Sequence, residues 1–189
     1  MKGQKSYPVE PGICVPFIVS APGLVSEGVA TEALTDITDL LPTFVDLAEG
    51  ELQPGYEYDG VSIADFILGK SDDTPRDWIM GMGGKNEAKL TDDGVENRYV
   101  FRDRVLREKR FKLYVSTKRE AVKLVDVIAD PEEMKNLIDS NDPEAQAALE
   151  RLSAIIPSFP ERDNDPIYDP LPPQPWDVPI TAQNEVWKE

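Results

Sequence analysis

Histidine is missing altogether from the 189 residues. It is the usual proton shuttle near neutral pH and the commonest transition-metal ligand. Its absence excludes Ser-His-Asp and Cys-His catalysis and the His-based zinc sites. Cysteine is nearly as scarce: Cys14 stands alone, so no internal disulfide and no Cys-x-x-Cys metal spacing exists. Positive charge is short as well. Lys and Arg number 20 against 36 Asp and Glu, a formal net charge of −16, which argues against nucleic acid or anionic lipid as partners because both are polyanions. The acidity reads as a solubilising surface. No apolar run reaches the length of a membrane span, and Met1-Lys2-Gly3-Gln4-Lys5 leads into no signal-peptide core. The length suits one ordinary domain, or one small domain plus part of another.

What is present is patterned. Ile13, Val15, Phe17, Ile18 and Val19 form a dense apolar run closed by Ala21-Pro22-Gly23, the pattern of a parallel strand buried on both faces. Such a strand needs neighbours on both edges, and nothing upstream supplies them. Apolar residues at Leu34, Ile37, Leu40, Leu41, Phe44, Val45 and Ala48 predict a helix. Thr38 or Asp39 is its expected N-cap, Pro42 falls in the first turn and Gly50 is the stop. A turn-rich loop over 53–60 precedes a short apolar segment, 61–68, ended by Gly69.

Beyond 71–76 the character changes to short strands, expected at 78–82, 98–102 and 110–116. In the last, Phe111, Leu113 and Val115 point one way and Lys112 and Tyr114 the other, which predicts an antiparallel strand with one wet face. Its partner is expected at 123–127. Asp130-Pro131-Glu132-Glu133 and Asp142-Pro143-Glu144 each read as a helix start, with a cap, a proline at the first position and acids near the positive end. The second helix places Ala145, Ala148, Leu149, Leu152, Ile155 and Ile156 on one face, to pack against the sheet. From Pro157 to Pro179 eight of the 17 prolines crowd together, predicting an extended or disordered tail that Trp176 and Trp187 could pin.

Few residues invite a chemical reading. Gly81-Met-Gly-Gly-Lys85 has the wrong spacing for a phosphate-binding loop, and Asn86 follows the lysine, so a strand-end turn is expected. Cys14 lies in the apolar run with no histidine to activate it, and is expected to be buried and inert. Asp72-Asp73 and Asp92-Asp93 lack the spaced oxygens of a calcium loop and read as solvated loop charge. Lys5 lies just upstream of the apolar run, where α/β enzymes place substrate-binding loops.

Taken together these stretches resemble the C-terminal part of a sulfatase of the alkaline-phosphatase superfamily. Lys5-Ser-Tyr-Pro-Val-Glu10-Pro11-Gly12-Ile13-Cys14-Val15-Pro16 is similar to the family's Lys followed by Tyr-Glu-Gly-Gly-Ile-Arg-Val-Pro. Thr38-Asp39-Leu-Leu-Pro42-Thr43-Phe-Val-Asp46-Leu47-Ala48 resembles its Thr-Asp-x-x-Pro-Thr-x-x-Asp-Leu-Ala helix. Asp59-Gly60-Val-Ser62, Gly69-Lys70 and Pro75-Arg76-Asp77 follow in order. Arg110-Phe-Lys112-Leu113-Tyr114, Leu124-Val-Asp126 and Asp130-Pro131-Glu132-Glu133-x-x-Asn136-Leu137 resemble the closing run, so that about residues 5 to 156 are covered.

The resemblance implies an α/β fold: the C-terminal part of a sulfatase-like α/β domain over 1–75, a small α+β subdomain with an antiparallel sheet and a C-terminal helix over 76–160, and a proline-rich extended tail over 161–189. It implies that the strand's neighbours belong to an N-terminal portion outside this chain. It also implies a sulfuric ester hydrolase whose formylglycine nucleophile, calcium ligands and catalytic histidines lie in that portion, so this chain alone is expected to be inactive, with no catalytic residue and no metal ligand of its own. Formylglycine arises from the cysteine of Cys-x-Pro/Ala-x-Arg, and Cys14-Val-Pro16-Phe-Ile18 has isoleucine where arginine is required. Lys5 alone has a family counterpart, the sulfate-binding lysine. Pro11 for glycine and Cys14 for arginine depart from the pattern, so the loop around Lys5 is expected to differ from the family's.

The implied partners are an N-terminal sulfatase portion and, in the complete enzyme, a sulfate ester. Two alternatives stay open: a non-catalytic partner completing a separately encoded N-terminal half, and a fragment of a related phosphodiesterase or phosphonate hydrolase. The compartment is unassigned, although intact relatives are often periplasmic or secreted.

Overall fold

The structure, a computed structural model, describes residues 7–83, 89–91, 94–96 and 99–163. In chain order the elements are α1 (Glu10–Ile13), α2 (Leu40–Leu47), α3 (Ala64–Ile67), β1 (Ile79–Met82), β2 (Lys89–Thr91), β3 (Gly94–Glu96), β4 (Arg104–Arg107), β5 (Phe111–Val115), β6 (Ala121–Asp126) and α4 (Pro143–Ser153), with single 3-10 turns at Ile37–Asp39 and Ile156–Ser158. The chain separates into two units. One comprises 1–86 and 99–163, the other 87–98 and 164–189. In the second unit the described part is the antiparallel hairpin of β2 and β3.

The first unit is built on a four-stranded antiparallel sheet ordered β1-β4-β5-β6. Because side chains alternate across a strand, the register fixes two faces. Leu113 lies opposite Leu106 and Leu124. These residues, with Phe111, Val115 and Phe101, close on Ala145, Ala148 and Leu152 of α4 and on Ile156 to form the core. Asp142 caps α4 by accepting from the Glu144 amide (3.0 Å), and Pro143 fills the position whose N–H would be unpaired. The pairing of β5 with β6 and the apolar face of α4 are as the sequence reads.

Five expectations need correction. Residues 13–19 form no strand: α1 ends at Ile13, and Val15 and Ile18 are 81% and 85% exposed. A strand exists only by hydrogen bonding to a neighbour, and none of the described residues pairs with this run.

The helix predicted from Leu34 begins at Leu40 with Asp39 at its N-cap position, one of the two residues expected there. Asp39 makes no side-chain cap to α2, however, and the capping hydrogen bonds belong to the 3-10 turn Ile37–Asp39 before it. Asp36 accepts from the Thr38 amide (2.9 Å) while Asp39 accepts from the Asp36 amide (2.9 Å), a reciprocal capping box. Its buried face is the one bearing Pro42 and Thr43, with Leu41, Phe44 and Leu47 outward. The stop is also displaced. Glu49 takes the left-handed conformation (φ 53°), and the Glu49 and Gly50 amides return to the Asp46 and Val45 carbonyls as a Schellman motif.

Residues 99–102 form no strand, and the missing strand is β4, at Arg104–Arg107. Asp130-Pro131 opens a turn, not a helix: Glu133 adopts φ 56° and its side chain is drawn inward. Finally, the face of β5 carrying Lys112 and Tyr114 is covered, with Lys112 fully buried. Of the tail expected from Pro157, the first residues are held on the sheet unit: Pro157 falls in the 3-10 turn Ile156–Ser158, Phe159 packs against the core and Asp163 pairs with Arg104. The residues from 164, with the pins Trp176 and Trp187, and Asp92-Asp93 lie outside the described residues.

Candidate functional site

Lys5, the one predicted binding residue, lies outside the described residues. The chain that follows it is held in a definite place. Gly12 and Ile13 donate backbone hydrogen bonds to the Val9 carbonyl at 2.7 and 3.2 Å and Cys14 to that of Glu10 at 2.8 Å, a single turn too short to persist alone. The sheet beneath supplies what the turn lacks. A Cβ at Gly81 would stand 3.3 Å from Ile13 Cγ2, and one at Gly83 would be 3.1 Å from Pro8 Cγ. These glycines let the 8–13 segment lie close against β1, a steric role that the Gly81-Met-Gly spacing does not advertise.

Charge then ties the segment down. Lys112 Nζ, fully buried, donates to Glu10 Oε1 at 3.0 Å and to Glu133 Oε1 at 2.7 Å. The same Glu133 oxygen accepts from the Glu10 amide at 2.6 Å, and its other oxygen accepts from the Tyr114 hydroxyl. Arg107 Nε reaches Glu10 Oε1 at 3.3 Å, and Lys123 Nζ donates to the Glu133 carbonyl at 2.6 Å. Two carboxylates thus meet two cations, Lys112 and Arg107, out of water, an arrangement viable only when the charges are paired and hydrogen-bonded. Burial would raise the Glu10 carboxyl, yet Lys112 first and then Arg107 hold it below its ordinary value. Tyr114 is pushed the other way, upward, by burial and by the Glu133 carboxylate. Arg107 Nη1 is buried with no acceptor among the described residues.

Cys14 is exposed rather than buried. Its Sγ donates to Glu10 Oε2 at 3.2 Å, and partial burial followed by that neighbouring carboxylate pushes the thiol up to about 11. A thiol held protonated is a poor nucleophile. Neither group that the family resemblance implies fits here. The Cys14 thiol is engaged by Glu10 and lacks the required arginine four residues on, and among the described residues no three of His, Cys, Asp and Glu are grouped to hold a metal ion. Asp73 accepts from Lys109 and from the Thr74 amide.

A second ionic clamp orders 36–76. Buried Asp39 accepts from Arg76 Nε at 2.9 and 2.7 Å, from Arg76 Nη2 and from the Val61 amide at 2.9 Å, while Arg76 Nη2 also donates to the Asp59 carbonyl at 3.1 Å. Gly60 is obligatory in this clamp because a Cβ would overlap the Thr38 carbonyl. Sequence spacing brought Thr38-Asp39, Asp59-Gly60 and Arg76 forward separately. Their convergence on one carboxylate is visible only in the fold.

Compared with known proteins, residues 4–156 match the family described as N-sulphoglucosamine sulphohydrolase, C-terminal. The chain belongs to that sulfatase family. This sulfatase portion is 30% identical over 101 residues to an ulvan-active sulfatase of Formosa agariphila, covering 53% of this chain and 18% of that protein. It is 37% identical over 62 residues to human arylsulfatase G, covering 33% of this chain and 12% of that one. It therefore spans less than a fifth of either relative. A solved Bacteroides thetaiotaomicron structure, from work on the metabolism of multiple glycosaminoglycans, shares the fold at a TM-score of 0.51 and 20% identity, covering 72% of this chain and 29% of that one. No helix among the described residues is long and apolar enough to cross a membrane.

Proposed function

We propose that this chain forms the C-terminal portion of a sulfate-ester hydrolase, supplying one flank of the substrate site through Lys5 and leaving bond cleavage to an N-terminal portion. Formylglycine and calcium would both reside in that portion. The observation that carries this reading is the exposure of the apolar run at 13–19. Val15, Phe17, Ile18 and Val19 are exposed, in a stretch whose composition suits a strand buried on both faces, and Leu24 and Val29 are exposed beyond its closing turn. An apolar surface of that kind marks a site where another protein surface belongs. The outer face of α2, with Leu41, Phe44 and Leu47 exposed, extends the same demand. Lys5 would place an ammonium against the sulfate oxygens and the charge developing on the leaving oxygen, which a desolvated site makes effective.

The test has two arms. The purified chain, assayed with an arylsulfate and with a phosphonate monoester in the presence of calcium, is expected to turn over neither. Co-expressed with an adjacent reading frame carrying Cys-x-Pro-x-Arg, it is expected to co-purify with that product and gain arylsulfatase activity, which Lys5→Met lowers by at least tenfold. Calcium-dependent turnover by the chain alone would refute the proposal. So would a chain that neither binds such a partner nor gains activity beside it, and preference for the phosphonate would transfer the reading to that substrate class.

A further inference from the structure

Three of the stretches by which the chain resembles its family each send one charged side chain to the same buried point. Glu10 comes from the first, Lys112 from the strand Phe111–Val115 and Glu133 from the Asp-Pro-Glu-Glu turn. We propose that Lys112 and Glu133 are positioning residues that fix the 8–14 segment, which follows Lys5 in sequence, by gripping Glu10 from the sheet. The importance of that placement rests on the proposed function; the grip itself does not.

Three observations carry it. The cluster lies on the sheet face opposite α4, away from the apolar core, where Lys112 is registered beside Arg107 and Val125. It grips Glu10 twice: Glu133 Oε1 accepts the Glu10 amide while also accepting from Lys112, whose Nζ holds the Glu10 carboxylate. Glu133 adopts a left-handed backbone (φ 56°) that a non-glycine residue takes only at a cost, and Lys123 secures it there through the Glu133 carbonyl. A buried ion pair is weak support for global stability. Here it bridges more than 100 residues of sequence to a turn that cannot stand alone.

Removing the Lys112 charge leaves two carboxylates facing each other beside an underpaired Arg107, and the segment should lift. Cys14 reports this, being the chain's sole cysteine and hydrogen-bonded to Glu10 within the same turn. The experiment compares iodoacetamide alkylation of Cys14 at pH 8 in the wild-type chain, Lys112→Met and Glu133→Gln, with amide exchange read in parallel. Both variants are expected to alkylate at least tenfold faster and to lose protection at Gly12, Ile13 and Cys14, with the Phe111–Val115 and Ala121–Asp126 amides still protected. Wild-type alkylation rates in both variants overturn the proposal. Loss of protection throughout the sheet in both also overturns it, because the cluster would then be core and not a tether. Neither readout needs a partner or a sulfate ester, so a negative result leaves the sulfatase reading standing, and a failed sulfatase assay leaves the tether standing.

Discussion

At the scale of the residue, the informative positions are those where the backbone or a charge is placed against its preference. Glu49 ends α2 in a left-handed conformation that glycine adopts freely. Its neighbour Gly50, the predicted stop, does not hold that position. Glu49→Gly should therefore raise stability by about 0.5–1 kcal/mol, the typical gain from removing a left-handed penalty less glycine's entropy in the unfolded chain, measured as a higher denaturant midpoint with an unchanged slope. Asp39 shows the opposite economy. Burial would raise its carboxyl, but hydrogen bonds from Arg76, then from the Val61 and Asp36 amides, hold it below its ordinary value. A depressed carboxyl contributes stability that is present above its unfolded pKa and is lost as the pH falls through the folded one. Glu10 is depressed likewise, so unfolding free energy should hold from neutrality to about pH 4.5 and then decline. Arg76→Met strands Asp39 and should cost about 3–5 kcal/mol at pH 7, less as the medium is acidified and the carboxyl protonates. Equal losses at pH 7 and pH 3 in urea titrations would contradict this assignment.

At the scale of the element, the sequence is legible where one physical cause dominates. Helix α4 was readable because an Asp-Pro-Glu start and a 3.6-residue apolar stripe agree, and strands β5 and β6 because their alternation is uninterrupted. Strand β4 escaped because Arg104-Val-Leu-Arg107 looks polar at both ends. Arg104 is nevertheless buried, stacked 3.7 Å above the Phe101 ring and paired with Asp163 at 2.7 Å. The alternation of β5 points Lys112 towards water, because alternation reports which residues share a face but not whether a distant segment covers it. The second Asp-Pro-Glu signal, at 130–133, lost to a tertiary demand, since Glu133 faces inward to meet Lys112. Where local and tertiary signals agree, large effects are expected. Leu152 is 1% exposed at the centre of the α4 contact, and Leu152→Ala should cost about 2–5 kcal/mol, whereas Asp142→Ala should cost about 1 kcal/mol through the lost cap. Thermal or urea unfolding that ranks these two the other way would place the weight of α4 on its cap instead of its packing.

At the scale of the whole molecule, stability is unevenly distributed, and the unevenness follows the proposed division of labour. Around the sheet β1-β4-β5-β6, α4 supplies a continuous apolar core on one face and the Glu10-Lys112-Glu133 cluster covers the other. Residues 15–33 have neither: nearly all are exposed, they contain no helix or strand, and their backbone hydrogen bonds are local, Leu24 and Val25 donating to the Ala21 carbonyl and the Ala33 amide to the Thr31 hydroxyl. Segments with few buried contacts and exposed backbone open at low free energy and are the first to be cut. Limited proteolysis of the isolated chain should therefore nick within 15–33 while the 99–160 stretch survives as a resistant band. Hydrogen exchange should be slowest at Leu113 and Leu124, the fully buried centre of the sheet. A partner that pairs with the apolar run would reverse the first result without altering the second: protection should spread into 15–29 on complex formation, while the sheet amides, already near their limit, exchange as before. Early cleavage inside β5 or β6 of the isolated chain would show instead that the sheet depends on surfaces supplied by another polypeptide.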